Sequence, residues 1–494
     1  MDWAARRAGC PISRGTSVLW RMRLLVLGAA LLMPSLTFAA APPCMNASRR
    51  GEGLTFEIPQ ITPVAALQVA DKGGEGRDKP GDGGAGGVRI PDEPRDLPLL
   101  PGENRKVNAR LRGRIEADAA YAVQSARNLA IWDDIQNSVG FRRARLGAEG
   151  TVGDQVFWVS EIDFAGGNVL FRDVFVGLDK LPYLRRIRVG HFREPYGLEG
   201  TPSSNDMTFM ERSPMDTFNP ARNWGVGFAS YTDEQRATFQ GGVFRLGTTN
   251  SGEAIGDAND LSWIFRLTGL PWYDESSKGR QLMHLGGTFA YNRPPNNEIT
   301  FSQDPLSGLV QVLDDPLTPF LNEFSIPAST QQLYNLQWAV VLGSVSFQAE
   351  WTLSHVKQPG AIPPVNFQGS YVQGSWFLTG ENRNYMKMDG RFTTIRVNRP
   401  FFLLKGEDGC VCGPGAWELV ARFAYLDLDD NNIAPDKELG YQRGGKLATF
   451  TTGFNWYLND NCRVMFNYIH AVPVSRVYGP SYVDSFFIRT AVFW

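Results

Sequence analysis

From Ser344 to His355 the chain alternates without a break. Val345, Phe347, Ala349, Trp351, Leu353 and His355 alternate with Ser344, Ser346, Gln348, Glu350, Thr352 and Ser354. Successive side chains of a strand point to opposite faces, so this run has one apolar and one polar face. The pattern recurs. Ala109, Leu111, Gly113, Ile115, Ala117 and Ala119 alternate with Arg110, Arg112, Arg114, Glu116 and Asp118. Trp417, Leu419, Ala421, Phe423 and Tyr425 alternate with Glu418, Val420, Arg422 and Ala424. Val464, Phe466, Tyr468 and His470 alternate with Arg463, Met465, Asn467 and Ile469. A chain of such runs must cover its apolar faces with a second sheet or with lipid.

Seventeen runs of this kind centre near residues 115, 145, 160, 174, 189, 228, 241, 265, 286, 338, 350, 374, 395, 421, 452, 466 and 489. Single-chain bacterial outer-membrane barrels have an even number of strands. The weakest run, 391–398, is therefore dropped, leaving sixteen. Three features favour lipid over a second sheet. Aromatics recur near strand ends (Tyr121, Tyr231, Tyr291, Trp338, Trp376, Tyr425, Trp456), where interfacial girdles sit. The polar faces are charged, which suits a water-filled lumen. The chain closes with DSFFIRTAVFW, ending on Trp494. The expected fold is all-β: a transmembrane antiparallel barrel of about sixteen strands with an inward-folded constriction loop.

The start of the chain reads as a secretory signal over 1–40. Arg21 and Arg23 precede the apolar stretch Leu24–Met33, and Ala39-Ala40-Ala41 offers small residues for cleavage. Met22 is an alternative true start. Residues 41–105 hold DKGGEGRDKPGDGGAGGVRIPDEPRDLPLLPGE, rich in Gly, Pro and charge without periodicity, and read as a flexible linker. The barrel domain is expected over 106–494. Net charge is −2, with neither the basic excess of a nucleic-acid binder nor an acidic one.

The constriction is expected between Arg193 and Asn223. This stretch is long for a loop. It carries Phe192 at its edge, then Tyr196, Met207, Phe209, Met210, Met215 and Phe218, too many large apolar groups for a solvated linker. It also carries Arg193, Arg212, Arg222, Glu194, Glu199 and Glu211. Rings of Arg or Lys at a constriction favour anions. Arg110, Arg112 and Arg114 share one strand face, and Arg143, Arg145, Arg186 and Arg188 lie in the next runs. A cation on the lipid side costs about 2–4 kcal/mol at the midplane, so these side chains are expected in the lumen. The ion-pathway candidates are Arg110, Arg112, Arg114, Arg143, Arg145, Arg188, Arg193, Arg212 and Arg222. Glu116, Asp118, Glu149, Glu161 and Asp163 are at hand to pair with them, and bracing is the expected role of at least half.

Rival readings rest on fewer residues. Glu161/Asp163 and Glu418 would serve a secreted β-structured carbohydrate-active enzyme, whose two carboxylates must flank one bond. The acidic turn Asp427–Asn432 would serve a calcium-dependent binding module but lacks the closing Glu of the full loop. No cofactor or metal is expected. Cys410 or Cys412 could bridge to Cys462 in an oxidising compartment. His191, His284, His355 and His470 are scattered and read as wall residues.

Several segments together resemble the phosphate-selective porins O and P. They are GFRRARLGAEG (140–150), LFRDVFVGL (170–178), VGHFREPYGLE (189–199), TFMERSPMDTFNPARNWGVGF (208–228), SWFLTGENRNY (375–385), GAWELVARFAYLDLDD (415–430) and GGKLATFTTGFNWYLNDNCRVMFNYIHA (444–471). The resemblance implies a sixteen-stranded outer-membrane barrel, a homotrimer in the bilayer, passing phosphate or similar small anions past an inward third loop. The chain departs from the selective members in its basic residues. It has ten lysines, and the family's frequent Lys at the FREP position is Arg193 here. This puts phosphate specificity in doubt and leaves a general, weakly selective porin as the alternative.

Overall fold

The computed structural model describes residues 107–494, except 133, 168, 248–251, 253–259, 304–320, 402–403, 407–408, 412, 434–443 and 477. The signal and linker readings lie outside the described residues. Sixteen long strands form one closed antiparallel barrel. In chain order they are β1 Val107–Gln124, β2 Ser138–Val152, β3 Val156–Asp163, β4 Leu170–Leu181, β5 Arg185–Arg193, β6 Arg222–Tyr231, β7 Ala237–Arg245 and β8 Leu261–Tyr273. They continue as β9 Gln281–Asn292, β10 Thr330–Leu342, β11 Val345–Lys357, β12 Val365–Phe377, β13 Ala416–Asp427, β14 Gly445–Asn459, β15 Cys462–Ser475 and β16 Val483–Phe493. Each pairs with its sequence neighbours, and β1 closes on β16 in the register Arg114↔Phe493 to Gln124↔Val483. Trp494 fastens the seam. Its carbonyl accepts from the Gly113 amide at 3.0 Å, and its amide donates to the Gly113 carbonyl at 3.1 Å. An added Cβ at Gly113 would strike the Trp494 ring, so the small residue makes room for the terminal aromatic.

The alternation sorts as the sequence requires. Leu111, Phe141, Leu267, Leu336, Phe423 and Ile488 are exposed on the outside. Ser346, Gln348, Glu350, Thr352, Glu418, Arg422, Arg463 and Asn467 are buried inside. An apolar exterior around a polar interior is stable only in lipid. Among the described residues no helix is long and apolar enough to cross a membrane.

Run 391–398 is not a barrel strand. Arg391–Thr393 pairs instead with Asn384–Met386 in a small hairpin. That hairpin belongs to an unexpected feature. Connections alternate between tight turns at one end and longer loops at the other, but β12 and β13 are joined at the tight-turn end by residues 378–415. Part of this connection is a second segment folded into the lumen. Cys462 carries a free thiol, while the Cys410 side chain and Cys412 lie outside the described residues.

Candidate functional site

The chain between β5 and β6 leaves the wall at Glu194 and crosses the lumen. It has little regular structure, only the short 3-10 turns Ser204–Asp206 and Pro214–Phe218. Its apolar residues Tyr196, Leu198, Met210, Met215 and Phe218 are all buried. Met215 and Phe218 pack over Gly369 of β12.

The backbone of this loop is held by inward side chains of successive strands. The Glu350 carboxylate on β11 accepts from the Leu198 and Glu199 amides at 2.8 and 2.6 Å. Gly197 just before them has φ +67°, and a side chain there would press on Glu350, so glycine is needed at this contact. On β13, β15 and β16 arginines take the carbonyls. Arg422 of β13 donates to the Glu211 and Arg212 carbonyls at 3.1 and 3.3 Å. Asn455 of β14 donates to the Thr208 carbonyl at 2.8 Å. Arg463 of β15 donates to the carbonyls of Ser204, Asn205 and Met207 at 2.9–3.1 Å. Arg489 of β16 donates to the Met210 carbonyl at 2.6 Å. An irregular buried backbone must find partners elsewhere, and here the polar face of the barrel supplies them.

The pathway candidates divide. Arg110 is exposed at the barrel rim, contrary to the lumenal expectation, and pairs with Glu149. The strand reaches past the wall there, so its polar face meets solvent. Arg112 pairs with Glu149 and Glu161 at 2.6 and 3.2 Å. Arg114 meets Glu161 at 3.4 Å and donates to Ser203 and Ser204. Arg143 pairs with Glu116, and Arg145 with Asp163 and Glu161 at 2.8 and 3.1 Å. Arg222 makes a two-pronged contact to Asp173 at 3.0 and 3.1 Å. Arg186 does the same with Asp179. These guanidinium groups brace the wall.

Three candidates are left differently. Arg212 spends its donors on the Glu199 and Pro202 carbonyls and lies 3.6 Å from Asp216. The side chains of Arg193 and Arg188 have no hydrogen bond or ion pair among the described residues. Arg188 lies on two rings, its guanidinium carbon 4.6 Å from the Phe192 centroid and 5.6 Å from that of Phe175.

The loop's own acids have opposite fates. Glu211 is ringed by Arg142, Arg143 and Arg489. Burial works against its charge, but these cations hold the carboxyl well below the usual range. Glu194 faces only neutral donors, Asn223 and Ser262, both at 2.8 Å. Burial there pushes the carboxyl up to about 7, against the pull of those two hydrogen bonds.

The second inward segment enters from the tight-turn end. Arg266 of β8 donates to the Asp389 and Gly390 carbonyls at 3.1 and 2.7 Å. Gly390 has φ +60° and sits against Thr268, so no side chain fits. Tyr385 meets His284 at 2.6 Å. The two segments touch each other, since Asp206 accepts from Arg391 at 3.0 Å and from Thr394 at 2.6 Å.

The rival site residues are all engaged. Glu161 and Asp163 carry arginines, and Glu418 accepts from Asn455 and Tyr457 at 2.8 and 2.9 Å. In the acidic turn Asp427 pairs with Lys446, and Asp429 pairs with Arg476. Arg422, Arg463 and Arg489 were visible on polar strand faces, but alternation says only that they point inward. Arg142 was hidden for another reason. A bulge in the β1–β2 pairing near Glu116 turns both Arg142 and Arg143 inward, against strict alternation.

A family profile described as "Phosphate-selective porin O and P" matches residues 110–472. A Caulobacter vibrioides protein without an assigned function is 28% identical over 372 residues, 72% of this chain and 67% of that protein. Porin O of Pseudomonas aeruginosa is 22% identical over 304 residues, 58% of this chain and 64% of that protein. The chain thus spans about two thirds of the length of these relatives. Among solved structures, the anion-selective porin from Comamonas acidovorans is similar at a TM-score of 0.48 and 12% identity, over 79% of this chain and 100% of that one. OmpT of Vibrio cholerae is similar at a TM-score of 0.48 and 11% identity, over 78% and 99%.

Proposed function

We propose an anion-preferring pore, and proceed from the premise that this chain belongs to the phosphate-selective porin O and P family. It is a β-barrel channel of the outer membrane. The reading concerns what passes and which residues choose it. Small oxyanions such as phosphate cross passively in preference to cations. One observation carries this: where the loop leaves the wall, the Arg193 guanidinium has no hydrogen-bond acceptor among the described residues, and Arg212 beside it gives its hydrogen bonds to neutral carbonyls with Asp216 at 3.6 Å. Uncompensated positive charge next to a constriction favours anions. Guanidinium can replace part of an oxyanion's lost hydration with charge-assisted hydrogen bonds.

The preference is modest rather than phosphate-specific. Arg112, Arg114, Arg143, Arg145 and Arg222 are all paired with carboxylates. Arg212 is partly compensated by Asp216 at 3.6 Å, which leaves Arg188 and Arg193 as the working cations. The family resemblance supports a homotrimer. Residues 1–40 are read as removed on export, 41–105 as a dispensable linker and 106–494 as the pore-forming barrel.

Replacing Arg193 by Gln tests the pathway assignment. In a bilayer with a salt gradient, the reversal potential should move toward that of a cation-selective pore. An unchanged potential in a heat-modifiable, correctly folded variant would remove Arg193 from the pathway.

A further inference from the structure

Inside the barrel a row of aromatic rings runs across the wall, from Phe157 near the tight turn before β3 to Phe192 and Phe244 at the long-loop ends of β5 and β7. Phe157 of β3, Phe175 of β4, Phe192 of β5 and Phe244 of β7 follow one another edge to face. Their centroids are 6.0, 5.6 and 5.2 Å apart. Lumenal walls are normally polar, so four inward phenylalanines in a row require a reason.

The rings lie over inward glycines of the adjoining strands. An added Cβ at Gly177 would come within 2.4 Å of Phe157, and one at Gly227 within 3.0 Å of Phe192. Gly225 and Gly242 are similarly crowded by Phe244. The wall is therefore built in tiers: glycine backbone, then ring, then arginine. Arg186 lies 5.0 Å above Phe157, and Arg188 lies over Phe175 and Phe192. The two arginines differ in one respect. Arg186 is also paired with Asp179 at 2.8 Å, whereas Arg188 has the rings and no close ion pair among the described residues, with Asp389 and Asp173 acting on it only at longer range.

We infer that Phe175, with Phe192 beneath the same guanidinium, is a positioning residue for anion preference: it holds Arg188 against the wall without a neutralising carboxylate. An aromatic face attracts a cation without cancelling its charge. It leaves the edge N–H groups of the guanidinium free for an oxyanion. Lysine is a compact, strongly hydrated point charge and lacks the planar group that stacks, which accords with a chain of ten lysines among 49 basic residues. Sheet glycines covered by aromatics are a known structural device; here the covering ring also carries the charge. The inference rests on the anion-pore reading and adds that an uncharged side chain sets part of the selectivity.

The test uses the full-length protein in planar bilayers, with reversal potentials in potassium chloride and potassium phosphate gradients. Arg188→Gln tests the anion-pore reading at this position. Phe175→Leu tests the inference, since it keeps apolar bulk and removes the aromatic face. Phe175→Tyr restores the face. Phe175→Leu should lower the anion-to-cation permeability ratio about two- to fivefold, the strength of one cation–π contact. Phe175→Tyr should behave as wild type. Phe175→Leu combined with Arg188→Gln should match Arg188→Gln alone. If Phe175→Leu does not fold, Phe175→Met carries the same expectation. A normal ratio in Phe175→Leu together with a reduced one in Arg188→Gln overturns the inference and leaves the anion-pore reading intact. An unchanged ratio in Arg188→Gln removes Arg188 from the pathway and overturns the inference with it.

Discussion

Arg489 on the last barrel strand donates to the carbonyl of Met210, 279 residues earlier, at 2.6 Å. The same guanidinium pairs with Asp118 of β1 at 2.6 Å and with Glu211 of the loop at 2.7 Å. One side chain therefore ties together the barrel seam and the constriction. Closing the barrel and seating the loop are coupled events, because neither Asp118 nor Glu211 is satisfied by Arg489 until β16 docks on β1.

Arg489→Gln should destabilise the folded barrel by about 3–5 kcal/mol, since it strands buried carboxylates without their partner. The temperature at which the compact gel band converts to the unfolded one would report it. Replacing Asp118 by Asn in the same chain should recover part of the loss, because one stranded charge is then gone. A single variant with wild-type heat stability would show that Arg142 and Arg143 suffice to hold Glu211.

Arg222→Gln has a different consequence from Arg193→Gln. Arg222 is paired with Asp173 through two hydrogen bonds, so its removal exposes a carboxylate as well as deleting a cation. The reversal potential should shift toward cations further than in Arg193→Gln. Arg222→Gln with Asp173→Asn should return most of the way to wild type, since the pair contributes little net charge. Equal potentials in the single and double variants would mean that Asp173 does not face the permeating ions.

The barrel was legible because a single physical rule, alternation against lipid, acts on every strand. All sixteen retained runs are strands, and the odd one at 391–398 fell for want of a partner in an even barrel. The loop was legible from its length and its apolar content. What alternation could not reveal was the destination of each inward charge. Arg422 and Arg112 read alike in the sequence, yet Arg422 holds the loop backbone while Arg112 pairs along the wall. The second lumenal segment escaped notice because Gly390 and Asp389 look like ordinary turn residues. Side chains distant in the sequence, Arg266 and Gln240, give them a place inside the barrel.

Asp206 joins the two lumenal segments. It is buried and accepts from Arg391 and Thr394, while Arg391 also reaches Asp389 at 3.3 Å. Asp206→Asn should loosen the hairpin at Asn384–Thr393 without releasing the main loop, which has its own clamps. Single-channel recordings should show more current noise, with the mean anion preference retained. A quiet channel would place the mechanical hold on the hairpin with Arg266 instead.

Glu194 sets a pH dependence at the point where the loop leaves the wall. Its carboxyl accepts from Asn223 and Ser262 and has no ion-pair partner among the described residues, and burial pushes it up to about 7. The folded state therefore prefers the protonated acid, while the unfolded chain titrates near the ordinary value of 4.5. Below that value both states are protonated, and the group costs nothing. Between about 4.5 and 7 the unfolded chain ionises first, so folding loses stability as pH rises. Above about 7 the full loss is present, about 3 kcal/mol from a shift of this size. Glu211 acts in the opposite sense. Its depressed carboxyl gives stability that is lost only as strong acid protonates it, so the pH curve of wild type alone would mix the two. The difference between wild type and Glu194→Gln isolates Glu194, because glutamine keeps the shape and cannot ionise. Heat-modification midpoints in detergent should agree at pH 4, and the variant should be the more stable at pH 8. Parallel curves across that range would mean that Glu194 is charged throughout, with compensation from a group that moves toward it.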